Sequence, residues 1–260
     1  MEITLGELLK GKATRIKGKD YFETEAYVTP FLERTSKITD NFSIKVETPS
    51  QITYTKDGNI DMEDITFNRV WIQAILPEEY CIDNHDDVIG MVYGLDCRKP
   101  IAKFYRGGLN RACTNLCVFS PSYLKVQELE ADMALDYKGL SDIIDKTSEL
   151  KKWLEILHSR VVKWDTNSML TELGRWVDNC ISQTYTNGVG TPVKLATSTA
   201  IDSYKLLAKK EDSPYFITED STSMFNIYNA FTDTLRKQAD KDIINPIEKC
   251  LLLKRILEIF

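Results

Sequence analysis

Histidine is nearly absent from this sequence: His85 and His158 are the two in 260 residues. The six cysteines, Cys81, Cys97, Cys113, Cys117, Cys180 and Cys250, include no C-x-x-C pair and are too dispersed for a disulfide framework. These scarcities argue against a zinc module and for unbridged thiols in a reducing compartment. No apolar run approaches the ~18–20 residues of a membrane span, and no signal-type segment opens the sequence. The expectation is a cytoplasmic protein without membrane partners. A nucleophile elbow, a phosphate loop, a dinucleotide fingerprint and an HExxH motif are all missing. Gly188-Val-Gly190 lacks the strand before and the helix after it that a phosphate cradle needs, so it reads as an interhelical loop. The expectation is therefore a protein that is not an enzyme and needs no cofactor.

What is present is ample apolar material. Hydrophobic residues make up 43% of the chain and charged residues 28%, far from the composition of a disordered segment. A chain of this length buries roughly three quarters of its unfolded surface, enough for one large domain. With a net charge of −6, the surface as a whole does not attract polyanions, and a nucleic-acid surface would have to be local. Two local excesses exist. Residues 8–19 carry five Lys/Arg and no acid, and residues 97–117 carry five more without an acid. Solvated strand edges, where charge blocks unwanted pairing, are the other reading of both.

From Phe42 to Phe119 the segments FSIKVE, QITYT, ITFNRVWIQAIL, VIGMVYGL and PIAKFYR alternate or run short and apolar, with β-branched and aromatic enrichment. KDGN at 56–59 and RGGLN at 106–110 read as turns. After Pro121 the period lengthens. Ile143, Leu150, Leu154, Leu157, Val161 and Trp164 mark one face of a helix about six turns long, and SMLTELGRWVDNCISQ, capped by Asn167 or Ser168, STAIDSYKLLAKK, SMFNIYNAFTDTLRKQ and PIEKCLLLKRILEIF follow as helices. Strands first and helices second predicts an α+β fold: an antiparallel sheet in 1–120 covered on one face by a helical part in 121–260, all one domain.

His85 beside Asp86 and Asp87 invites a metal reading, but successive strand residues point opposite ways. Asn84 to Asp87 reads more naturally as a turn, so no metal is expected. Cys97, Cys113 and Cys117 read as buried small hydrophobes, and His158 as a surface or interface histidine. In the basic hairpin, Lys103, Phe104, Tyr105 and Arg106 alternate cation and ring, which places Lys103 and Tyr105 on one face. A cation beside an aromatic platform is how proteins hold single strands. The expected nucleic-acid surface is Lys103, Tyr105, Arg106 and Arg111, joined by Lys17 and Lys19. An edge strand with a buried Phe104 is the competing reading.

Asn84-His85-Asp86, then Arg111-Ala-Cys-Thr-Asn115, then STSMFNIYNAFTDTL at 221–235 resemble motifs of the phage and plasmid-like family catalogued as domain of unknown function 932. The resemblance covers roughly residues 40 to 240 and matches His85, Asp86, Arg111, Cys113, Asn115, Phe225, Tyr228 and Asn229, with Leu116 standing where the family has glycine. It implies a mobile-element origin. By analogy with phage single-strand annealing proteins, it also implies a possible homo-oligomer that grips single-stranded DNA in a basic groove. Single-strand binding or annealing in recombination or replication is the first function hypothesis. A protein-binding module, such as an anti-defence or virion-associated factor, is the second, and a metal-dependent enzyme at His85 the third.

Overall fold

The computed structural model describes residues 3–10, 18–47, 57, 69–82, 84–94, 101–111, 115–118, 124–128, 137–144, 150–164, 172–187, 190–239 and 246–260. Its centre is an antiparallel sheet, the α+β arrangement expected. Strands β1 (Phe42–Glu47), β2 (Arg69–Ile75), β3 (His85–Gly94) and β4 (Ile101–Asn110) lie side by side in chain order. The far side of β4 is shared by β5 (Leu116–Cys117), opposite Gly108 and Leu109, and β6 (Leu124–Glu128), opposite Ile101 to Tyr105.

Period-two alternation sends each strand's side chains to two cores. Val70, Ile72, Ile89, Met91, Tyr93, Ala102 and Phe104 pack with one set of helices. Val88, Val92 and Tyr105 pack with another, and Trp71 joins them. Strand β3 is buried on both faces along nearly its whole length, which is why its sequence is a continuous apolar run.

The first core is sealed by α1 (Leu5–Leu8), α2 (Gly18–Thr35) and α3 (Lys138–Ile144). Thr4 and Glu7 form a reciprocal capping box that starts α1. Val28, Phe31 and Leu32 recur at helical spacing and give α2 its apolar stripe. The second core is covered by α4 (Leu150–Ser159), α5 (Leu173–Ser182), α6 (Thr197–Ala208), α7 (Met224–Ala239) and α8 (Pro246–Leu257). Helices therefore cover both faces of the sheet, whereas the sequence reading placed them on one. The stripe in α2, within the part read as β-rich, is the reason. No described helix is long and apolar enough to cross a membrane.

Three further expectations are corrected. The long helix over 140–164 is not continuous: α3 ends at Ile144, α4 ends at Ser159, and β7 (Val161–Lys163) pairs with β10 (Ser221–Ser223). Ile143 and Leu150, read as one stripe, enter opposite cores. RGGLN is no turn, because β4 runs through it. A Cβ on Gly107 would lie 2.4 Å from the Cys117 carbonyl oxygen, so its glycine marks close approach of β5. The place read as an interhelical loop at 188–190 lies between two paired strands, β8 (Thr184–Thr186) and β9 (Pro192–Lys194), with Gly190 at φ +80° and Gly188 and Val189 outside the described residues. QITYT, the Asn167/Ser168 cap and KDGN apart from Asp57 lie outside the described residues.

Candidate functional site

Strand alternation settles where the basic hairpin points. Lys103 and Tyr105 do share a face, but that face is the second core. Lys103 is 2% exposed, and its Nζ lies 3.2 Å from Glu248 Oε2 on α8. Tyr105 is fully buried; its hydroxyl accepts hydrogen bonds from Trp71 Nε1 and, at 2.8 Å, from Gln73 Nε2. Arg106 enters the first core. There it donates through Nη2 to Asp87 Oδ2 at 2.7 Å and through Nη1 to the carbonyl of Ile144 at the end of α3. The expected surface of Lys103, Tyr105 and Arg106 is thus overturned: with both faces of β4 covered, these cations meet carboxylates inside the protein. Arg111, just past the strand end, is 42% exposed and pairs with Asp86 at 2.6 Å. Lys17, Cys97 and Cys113 lie outside the described residues, as does the side chain of Lys19 within α2.

The turn expected at Asn84 to Asp87 is shorter than read. Ile82 and His85 already form a bridge, and His85 opens β3. Asp86 and Asp87 then diverge, the first to Arg111 and the second to Arg106, so the two carboxylates serve guanidinium groups on different faces. Among the described residues no cluster of three or more His, Cys, Asp or Glu has the geometry to hold a metal.

Most of the described motif residues converge from distant parts of the chain. His85 lies edge-on to Phe225 at 5.8 Å between ring centroids, and His158 covers the same ring at 3.9 Å, so the chain's two histidines flank one phenyl group. Asn115 Nδ2 donates to the Asn229 carbonyl at 3.3 Å. Tyr228 is buried beside the Cys117 and Cys250 thiols, and burial pushes its phenol well up. Cys117, expected to be a buried unbridged thiol, is one.

A cavity lies on the second face, between β1–β2 and α7–α8. It encloses about 290 Å³ and is lined by Ser43, Lys45, Trp71, Gln73, Thr232 and Arg236 among others. This is at the low end of ligand pockets, which run ~300–1,000 Å³. Register places the sheet residues together: Ser43 lies opposite Gln73, and Lys45 opposite Trp71. Behind them a hydrogen-bond chain fixes the wall. Ser43 Oγ meets Gln73 Oε1 at 3.3 Å, and Gln73 and Trp71 both donate to Tyr105. Gly90 makes room for that tyrosine, since a Cβ there would lie 2.0 Å from its ring. Burial raises the Tyr105 phenol, despite the opposing bonds from Trp71 and Gln73, and pushes the Cys250 thiol at the cavity edge up to about 12. Both stay protonated at neutral pH. The charged groups lining the cavity are cations: Lys45, and Arg236, which Asp233 holds at 3.0 Å.

Sequence reasoning missed this cavity. The alternation in FSIKVE and RVWIQAI puts Ser43 with Lys45 and Trp71 with Gln73 on single faces, but no local signal announces that α7 and α8 pack over them. No protein-family model, curated protein or solved structure matches the chain.

Proposed function

We propose that the protein binds single-stranded nucleic acid, with a base lodged against Trp71 and the adjoining phosphates met by Lys45 and Arg236. The observation that carries this reading is the cavity itself: an indole wall, amide and hydroxyl groups beside it, and two cations lining the same space. A flat aromatic ligand carrying negative charge complements all three. Stacking on an indole tolerates any base, and the cations contact a backbone common to all sequences. His85 meets Phe225 and Asn115 meets Asn229, residues that the resemblance to the phage and plasmid-like family singles out. On this reading the protein is a mobile-element factor in recombination or replication, working in the cytoplasm and able to assemble with further copies along a strand.

Anisotropy of a labelled oligothymidylate across salt concentrations tests it. Affinity falls steeply with salt, and Lys45→Gln and Arg236→Gln each flatten the logarithmic slope by about 0.7, one phosphate contact's share on a single strand. Absence of binding at low salt, or variants with the wild-type slope, overturns the reading.

A second reading, a protein-binding module, is favoured by one observation. Ile156 on α4 and Val161 on β7 are 40% and 68% exposed, and Ile156 lines a groove with Trp153, Met224 and Leu257. Exposed apolar side chains beside a groove fit a protein contact. Such binding would be insensitive to Lys45 and Arg236.

A further inference from the structure

Across α7 from the cavity lies a second cleft, of about 370 Å³, between α6 and α7. Helix α7 divides the two. Leu235 and Arg236 line the cavity, while Lys237 and Gln238 line the cleft. Asp233 anchors both neighbouring cations, Arg236 through Oδ1 at 3.0 Å and Lys237 through Oδ2 at 2.7 Å. Two positive groups are thereby held on opposite shoulders of one helical turn. From α6, Lys205 faces the same cleft, braced by Asp202 at 3.1 Å, and Lys210 joins it just past the helix end. Ser198 adds a hydroxyl group, while the Thr234 hydroxyl donates to the Ala230 carbonyl at 2.9 Å. Side chains of Lys205 and Lys237 are 50% and 55% exposed. Unlike Lys103 and Arg106, these cations stand in solvent.

Building on the proposed single-strand reading, we infer that the bound strand does not end in the cavity. It crosses the last turns of α7 and lays its following phosphates in the α6–α7 cleft, on Lys237, Lys205 and Lys210. The ridge to be crossed is one helix wide, about 10–12 Å with side chains, which a few nucleotides of extended strand can span. Lysine suits a backbone track of this kind, because its ammonium is a point charge on a flexible stem and follows a phosphate without demanding one geometry. Asp202 and Asp233 hold Lys205 and Lys237 in place at the mouth of the cleft.

The test measures the affinity of a thymidine dinucleotide and of oligothymidylates up to about 16 nucleotides, the upper range of single-strand sites. Matched oligouridylates show whether the sugar matters. In the wild-type protein affinity rises with length beyond the dinucleotide. In Lys205→Gln and Lys210→Gln the ratio of long- to short-oligonucleotide affinity falls, and the salt slope for the long oligonucleotide drops by about 0.7 per lysine. If the dinucleotide binds but length adds nothing, or both variants keep the wild-type ratio and slope, the strand stops at α7 and the inference is wrong. If neither short nor long oligonucleotides bind, the cavity reading itself fails, and this extension with it.

Discussion

Lys103 shows how far a single residue can be read. Its alternation with Phe104, Tyr105 and Arg106 is visible in the sequence, and the structure keeps it. What the sequence does not display is the acid waiting on each face, Glu248 from α8 and Asp87 from β3. A cation in a strand looks the same whether it meets water or a carboxylate from elsewhere in the chain. The buried pairs make a sharp prediction. Lys103→Ala leaves Glu248 charged and uncompensated in the interior and should cost about 3–5 kcal/mol, whereas Lys103→Met with Glu248→Gln, which removes both charges, should cost much less. Urea denaturation of the three proteins measures this, and equal losses in the single and double variants would contradict the pairing. Burial of thiols adds a pH prediction. Folding raises the Cys250 and Cys180 thiols from 9.0 to about 12. A raised thiol stabilises the fold fully below pH 9.0, and that contribution is lost as pH climbs toward about 12. Stability should therefore decline across this alkaline window, and less steeply in Cys250→Ala, as the urea midpoint followed against pH would show.

Elements were legible where pattern and burial agree, and illegible where tertiary contacts override the pattern. Strands β1, β2 and β3 and helices α6, α7 and α8 follow their periodicities. The stripe from Ile143 to Trp164 misled because apolar residues at helical spacing belong to three elements packed in different places, and Val161-Val162 found a ladder with Ser221–Ser223 instead of continuing α4. Glycine misled in the same way: Gly107 in β4 answers to the nearby Cys117 backbone, not to a turn. Gly90 answers to Tyr105, which gives a prediction at the level of the β3–β4 pair. Gly90→Ala drives a methyl into the tyrosine ring and should destabilise the protein by about 1–3 kcal/mol through overpacking. Combining it with Tyr105→Ala removes the clash, so the double variant should be more stable than the sum of the two single losses. Additive losses in thermal denaturation would show that the ring and the glycine do not share one space.

At the scale of the whole molecule, one sheet serves two cores. Strands β2, β3 and β4 contribute alternate residues to each, so neither helical layer closes a core without them. The fold class was readable because strands precede most helices, but the three-layer arrangement was not, since it depends on α2 and α3 returning to the face that α4–α8 leave open. The cavity arises from that arrangement, at the place where β1 and β2 extend beneath α7 and α8. Its identity as the strand-binding site is the central claim. Ultraviolet crosslinking of the protein to an oligothymidylate, followed by digestion and mass spectrometry, tests it most directly. The account predicts an adduct on the tryptic peptide that begins after Arg69 and carries Trp71, reduced in Lys45→Gln and Arg236→Gln. Adducts confined to the α4–β7 surface around Ile156 and Val161, or none on the Trp71 peptide, would contradict it.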